Sequence, residues 1–580
     1  MSSQPQRTPE SEKSALPGTS SGGDRGVERA RPSAVASMAP AKLVGLLPAA
    51  AFLLYLAALL RTAWLSDDVF ITLRALDNLV HGYGLVSNPP ERVMAFTHPL
   101  WALLMLVPYA LGAPAYATAM GTGLVVSIAA VAFITWRAAA THLLAALGAL
   151  WLALSVAFVD FSTSGLENPL AHLLLALFVV ALARERLSPL RPGTFALAAL
   201  IALDRLDHAL LIAPVLLCTL FTRASDEHVP SAARPRFVLV RPVSRVLRAV
   251  LLGALPLLVW LGFACAYYGF AWPNTAYAKL NSNLASSVLA LQGLTYVLDG
   301  LQRDPITLLV IGLGLYVCAR ERSVRSLALG AGVLLYLGYV VEIGGDFMTG
   351  RFFTAPFVVC LTWLVTRGLA LAQERELLGL ALGSVLLGAW FPGNFQLHER
   401  FDCIIGPNGI VDERQCWAEY TALSENLRFA KYRSQGRYQH GVKLSLGKER
   451  VVVVTNVGMT GFAAGPAVHI IDPLAITDAL LARMPFRGYS LFRVGHFDRP
   501  VPRGYEETLR TGTNAIVDPC LHAYYDQLAT VIRGPLFTWR RWSAIVALNL
   551  GKYDRLVQAP CPRDQKRGAV GVTRAATATH

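Results

Sequence analysis

Charge is scarce in this sequence. Asp, Glu, Lys and Arg make up 16% of its 580 residues, where a soluble domain carries about a quarter. That shortage excludes an ordinary globular enzyme of this length. The hydrophobic residues, 54% of the chain, gather in long runs between residues 43 and 390 and leave both ends polar. A bilayer core takes roughly 20 apolar residues per helix, and only helices and closed barrels satisfy their backbone there. The expectation is a polytopic α-helical membrane protein. Also missing are a glycine-rich nucleotide loop ending in Lys-Ser or Lys-Thr, a His/Cys cluster at zinc spacing, and a long internal repeat. The net charge of +14 would suggest nucleic acid in a soluble protein. Here the positive residues fall in short loops between apolar runs, where membrane orientation explains them, so no nucleic-acid partner is expected.

Residues 1–40 are rich in Ser, Pro, Gly and Arg and read as a disordered cytoplasmic tail. The apolar run after them leads into Trp64-Leu65-Ser66-Asp67-Asp68 rather than a small-residue cleavage site, so it reads as an uncleaved first helix. Eleven helices are expected, near 43–64, 117–136, 141–159, 168–183, 193–203, 207–222, 248–268, 305–319, 326–341, 352–367 and 377–391. The basic loops 184–191, 223–248, 320–325 and 367–375, with Arg137, go to the cytoplasm by the positive-inside rule. The N-terminus is then cytoplasmic. Loops 66–96, 160–168, 203–208, 269–304 and 342–351, and everything after 391, face out. The apolar segment 99–111 would invert every later loop if it crossed, so it is expected to be re-entrant or to lie on the outer surface.

This topology gives two domains: a transmembrane domain at 41–391 and an extracytoplasmic, mixed α/β cap at 392–580. In the cap, 450–456 and 468–471 read as strands. Gly458, Gly461 and Gly465 read as a flexible loop, and 474–483 as a helix with Pro473 near its first position. Cys218, Cys265, Cys318 and Cys360 lie in apolar runs and read as core residues. Cys403, Cys416, Cys520 and Cys561 permit two disulfides on an oxidising face. Cys403–Cys416 with Cys520–Cys561 is the favoured of three pairings.

The first outer loop, SDDVFITLRALDNLVHGYGLVSNPPERVMAFTHPLW, carries the densest chemistry. Asp67 and Asp68 stand just past the end of the first helix, and charge at a membrane edge is costly unless it meets a wet cavity or a partner. Either can act as a general base toward a hydroxyl, orient it, or hold a cation. The plainer alternative is that Asp67 caps the next helix. Arg74 and Asp77 follow at helical spacing. Lys279 and Arg351 are cations of the outer segments, and Arg351 suits a helix-end residue reaching for the interface. Asp346, beside Gly344-Gly345, and Tyr277 belong to the same outer segments. Glu167 and Asn168 start a helix, where the dipole alone favours an acid. Arg205, Asp207 and His208 either line a cavity or pair with each other. His98 reads as a packing or interfacial residue rather than a catalyst. Tyr505, Tyr524, Tyr525, Trp539 and Trp542 suit stacking on sugar rings or a core, and the core is favoured for most.

The acidic pair followed by FITLR, then NLVHGYGLVSNPPERV and THPLW, resembles the first outer loop of GT-C glycosyltransferases of actinobacterial cell-wall synthesis, in particular the terminal β-(1→2)-arabinofuranosyltransferases. TSGLEN at 163–168, WPNTAYAKLN at 272–281, GGDFMTGRF at 344–352 and NVGMTGFAAGPAVHIIDPLAITDALLAR at 456–483 agree in order and spacing. The sequence departs from the pattern at Pro90 and at Met94-Ala95-Phe96, which concerns loop shape rather than the acidic pair. The resemblance implies a GT-C-type transmembrane domain in a plasma membrane, a decaprenyl-phosphoryl-arabinofuranose donor and an arabinan acceptor, and it makes Lys279 and Arg351, in the matched motifs, the candidates for the donor phosphate. Donor and product linkages are then both β, which implies net retention, by double displacement or by front-face attack. The lack of a nucleotide loop fits a lipid-linked donor. No cofactor is required; a divalent cation, if one takes part, would sit at Asp67 and Asp68. A related transferase for polyprenyl-phosphate mannose shares this architecture. A lipid-glycan transporter would show internal repeats and mid-helix charges, and a wall-binding protein would not need eleven helices.

Overall fold

The computed structural model describes residues 35–223, 237–239, 242–281, 283–367, 374–390, 403–428, 430–486 and 493–558. The expected tail therefore lies outside the described residues up to position 34. The chain divides into Met1–Gly45 and Leu46–His580, and the second unit holds the helical core and both two-stranded ladders.

Each of the eleven expected segments is helical. Among the described residues four helices are long and apolar enough to cross a bilayer: Val44–Thr62, Ala115–Ala138, Val243–Tyr267 and Val324–Glu342. Ser286–Arg303 and Pro305–Glu321, bent by 109°, make a fifth span if they count as one. Others are short apolar helices such as Asn168–Ala183 and Pro192–Asp204. The 12-residue helix Pro99–Ala110 reaches only about 18 Å at 1.5 Å per residue, well short of a bilayer core. Trp151, Phe158, Leu175, Phe178 and Phe357 fill the main core between these helices. Leu251, Leu255, Leu258 and Val259 on Val243–Tyr267 stay exposed, as a lipid-facing surface does.

Three local expectations change. The segment 141–159 breaks at Ser155, whose hydroxyl accepts from Phe158 N, while Asp304 accepts from Ala157 N at 2.8 Å. The outer segment 269–304 is not a plain loop: it holds the helices Asn274–Leu280 and Ser286–Arg303. The basic segment 223–248 contains part of a two-stranded antiparallel ladder, Phe221–Arg223 with Phe237–Leu239.

In the C-terminal part, Val451–Val453 pairs in parallel with His469–Ile471, so both expected strands exist but are short. The expected flexible glycine loop instead folds into the helix Met459–Ala464. The expected helix at 474–483 does not form, and only Leu481–Arg483 makes a 3-10 turn. The Asp472 carboxylate explains this, because it takes the amides of Leu474, Ile476 and Thr477. Ala475 also sits at φ 64°, outside the helical region. Cys403 and Cys416 are disulfide-bonded; Cys561 lies outside the described residues. Cys218, Cys265, Cys318 and Cys360 are free thiols.

Candidate active site

The segment after the first helix is held from two sides. Trp64 Nε1 donates to Asp160 O at 2.9 Å and Ser66 N to Ser164 O at 2.9 Å. From the C-terminal part, Thr421 Oγ1 donates to Leu65 O at 2.8 Å. This stitching fixes where Asp67 and Asp68 emerge.

The two carboxylates have different neighbours. Asp67 Oδ1 accepts from Met459 N at 2.8 Å, and Arg437 Nη1 stands 3.7 Å from Oδ2. Gly458 makes this approach possible: a Cβ there would lie 2.2 Å from Asp67 O. Asp68 is the formal N-cap of Val69–Val80, but its side chain makes no capping bond. The Asp67 side chain does not cap that helix either. Among the described residues the Asp68 carboxylate has no hydrogen-bond or ion-pair partner, and it faces a cavity of about 750 Å³. Burial, then the charge of Asp67, pushes its carboxyl up to about 6, against the pull of Arg351 and Lys279. Burial also raises Asp67, offset in part by Arg437 and the Met459 amide.

Cations line the same cavity. Lys279, Arg205, Arg351, Arg437 and Arg493 all border it. Arg205 and Arg351 share one acid: their guanidinium nitrogens lie 2.8 and 2.9 Å from Glu167 Oε1, and His98 Nδ1 lies 3.1 Å from Oε2. Glu167 is fully buried, which alone would favour its neutral form, yet Arg351, His98 and Arg205 hold it well below the usual carboxylate range. The bland helix-start reading of Glu167 therefore gives way to a charge hub. Arg205 also chelates Asp207, at 2.9 and 2.6 Å, and Arg351 stands 3.4 Å from Asp346. His98 Nε2 reaches Thr72 Oγ1 at 3.0 Å, so His98 links the cavity wall to the hub rather than merely packing.

Not every candidate reaches the cavity. Arg74 is buried and spends its guanidinium on the carbonyls of Ser87, Val468 and Gly461 and on Asn88 Oδ1. Its role is to bind the Val69–Val80 helix to the C-terminal segment. Tyr277 stacks beneath Arg483, 4.4 Å from its ring centroid. Asn168 donates to Thr354, and His208 packs on Tyr336. Asp346 lies behind the wall, bonded to Phe347 N.

Sequence reasoning missed Glu413 and Arg493. Both line the cavity, 3.0 Å apart, and Arg493 lies 4.5 Å over the Phe347 ring. Trp417 donates to Glu413 Oε2 at 2.6 Å and carries Arg437 over its face at 4.4 Å. Burial, then the charge of Asp68, pushes the Glu413 carboxyl up to about 7. The available signal was position, since Glu413 stands three residues before Cys416 in the expected disulfide loop. Among the described residues no group of three or more His, Cys, Asp or Glu could hold a metal ion. The arrangement suits an uncharged reacting centre beside Asp68 and an anion beside Lys279, Arg205 and Arg351.

No family model matches the chain. Two curated proteins do. It is 25% identical over 524 residues to the terminal β-(1→2)-arabinofuranosyltransferase of Mycobacterium tuberculosis, covering 75% of this chain and 80% of that one. It is 27% identical over 399 residues to the protein of the same name from Corynebacterium glutamicum, covering 63% of this chain and 56% of that one. The resemblance drawn from the first outer loop is thus supported across most of the chain, and both relatives are glycosyltransferases by name.

Proposed function

We propose that this homologue of arabinofuranosyltransferases moves arabinofuranose from decaprenyl-phosphoryl-arabinofuranose to the non-reducing ends of arabinan in arabinogalactan or lipoarabinomannan, forming terminal β-(1→2) linkages. The observation that carries the reading is the unpartnered Asp68 carboxylate facing the same cavity as Lys279, Arg205 and Arg351. In this reading the chain is a multi-pass protein of the plasma membrane. Its N-terminus is cytoplasmic, and the cavity and the 392–580 cap are extracytoplasmic.

The donor phosphate meets Lys279, Arg351 and Arg205, and Glu167 keeps the two guanidiniums aimed. The Asp68 carboxylate meets the reacting sugar, while Asp67, fixed by the Met459 amide, positions it. Glu413 and Arg493 on the cap side hold hydroxyls of the acceptor. The charge that develops on the leaving phosphate lies against cations already in place, so little reorganisation is needed during transfer.

The test uses purified full-length protein, a synthetic polyprenyl-phosphoryl-arabinofuranose and a short arabinofuranoside acceptor, with product linkage read by NMR. A β-(1→2) product that disappears in folded Asp68→Asn supports the reading. Transfer only from polyprenyl-phosphate mannose would keep the chemistry and discard the sugar. No transfer from any lipid-linked donor would sink the proposal.

A further inference from the structure

Trp539 is not a core residue. It is 85% exposed, as is Phe537 two residues before it, and Val546 on the same helix and Leu550 just past its end are 55% and 79% exposed. Positions 539, 543, 546 and 550 follow the spacing of one helical face. The helix Trp539–Asn549 therefore buries one side against its neighbours and leaves an apolar side uncovered. Its companions Tyr505, Tyr524 and Tyr525 are buried, so the exposure is local to this element.

Its buried side shows where the helix sits. Arg541 is 0% exposed and donates to Ala266 O at 2.7 Å and Tyr267 O at 2.9 Å. These are among the last carbonyls of the span Val243–Tyr267, which lack partners within their own helix. Asn549 donates to Gly269 O at 2.9 Å. Gly269 admits this packing, because a Cβ there would lie 2.1 Å from Val531 Cγ1. The Trp539–Asn549 helix is thus clamped to one end of a membrane span.

That end carries an aromatic cluster. Trp260 and Phe263 are 5.4 Å apart by ring centroid, Phe263 and Tyr267 are 5.2 Å apart, and Tyr267 and Tyr268 are 4.9 Å apart. Trp and Tyr concentrate where a span meets the headgroups. Lipid-facing Leu258 and Val259 are 46% and 61% exposed on the same span. The bilayer boundary therefore falls at the level of this cluster.

We infer that the Trp539–Asn549 helix is an interfacial anchor, with Phe537, Trp539, Val546 and Leu550 immersed at the headgroup–acyl boundary of the bilayer that holds the span Val243–Tyr267. Exposed Arg540 stands on the same side, where it meets lipid phosphates. A glycan fits this face less well. Besides Arg540, Ser543 and Asn549, whose amide nitrogen is spent on Gly269 O and Ile545 O, its exposed side chains are Trp, Phe, Val and Leu, which offer sugar hydroxyls no hydrogen-bond partners.

The test reconstitutes the full-length protein in phosphatidylcholine vesicles brominated either near the headgroup or near the chain end. Tryptophan fluorescence of the wild type is compared with Trp539→Phe. The difference between the two proteins is expected to be quenched most by the shallow bromines and to resist aqueous iodide. Equal quenching of both proteins, or a Trp539 signal quenched by iodide, overturns the inference. A photo-crosslinking residue at Phe537 gives a readout independent of Trp539. Attachment to phospholipid supports the anchor, whereas attachment to a second copy of the chain or to added arabinan replaces it with that partner.

Discussion

Asp68 lines the cavity and Glu167 lies buried behind its wall, and the environments of these two carboxylates pull them in opposite directions. Glu167 is the more deeply buried, yet it stays ionised because two guanidiniums and an imidazole touch it. For Asp68, burial, then the charge of Asp67, pushes the carboxyl up to about 6, and among the described residues no cation touches it. Burial pushes both acids up; the number and sign of the neighbours decide whether that push is overcome. One acid is taken up in holding two guanidiniums, and the other is left without a partner among the described residues.

The largest effect expected from breaking this contrast is on turnover. Asp68→Asn should lower transfer by roughly 10²–10⁴, measured as initial rate at saturating donor. The same change should stabilise the protein at pH 7, because it removes a charge that the fold holds against its preference. A stabilisation of about 1–3 kcal/mol is expected in thermal unfolding; a destabilised variant would contradict the environment described.

Glu167→Gln attacks the other acid. It leaves Arg205 and Arg351 facing each other without their shared acid and should cost about 3–5 kcal/mol. Weaker donor binding should accompany this, and a phosphate analogue should restore part of the lost thermal stability. Gly458→Ala sharpens the comparison without touching a charge. Its Cβ would collide with Asp67 O at 2.2 Å, costing about 1–3 kcal/mol, and activity should fall at least about tenfold by misplacement of the pair.

The pH response comes from the raised acids. A carboxyl whose folded pKa exceeds its unfolded value binds protons more readily in the fold, so its penalty is present above the folded pKa and relieved as pH falls. For Asp68 the window runs from about 6 down to its ordinary value of 3.8, and for Glu413 from about 7 down to 4.5. These two groups should make the protein more stable as pH drops through those windows, while the rate falls below about pH 6 as Asp68 protonates. A rate that is flat from pH 7 to 5 would refute that assignment. The smallest effect belongs to Arg437→Gln. Its guanidinium is 38% exposed and 3.7 Å from Asp67, so less than about 1 kcal/mol is expected, with only a severalfold change in rate.

Much of the fold is legible in the sequence because lipid imposes strict rules. Apolar runs locate the helices, charge at the end of the first one draws attention to Asp67 and Asp68, and the resemblance of the outer-loop motifs draws it to Lys279 and Arg351. Helical geometry explains the error at Arg74. It stands seven residues from Asp67, on the face covered by Met459–Ala464, whereas Thr72 stands four residues from Asp68, on the face open to the cavity. Ser286–Arg303 reads as loop because its apolar residues occupy one side only, so it forms no continuous run. Glu413 and Arg493 are invisible in the sequence because charged residues are ordinary in a polar segment. Only the fold turns them toward the cavity. The helix expected at 474–483 fails because local propensity carries no information about the three amides that Asp472 captures.

The bond from Met459 N to Asp67 spans 392 positions of the chain. During synthesis the acidic pair is made early, and the amide that holds it arrives only after the whole helical part has been threaded. A nascent or truncated chain that ends before Gly458 already contains Asp67 and Asp68 but cannot set them in place. The geometry of the acidic pair is thus completed only once the chain has reached Met459.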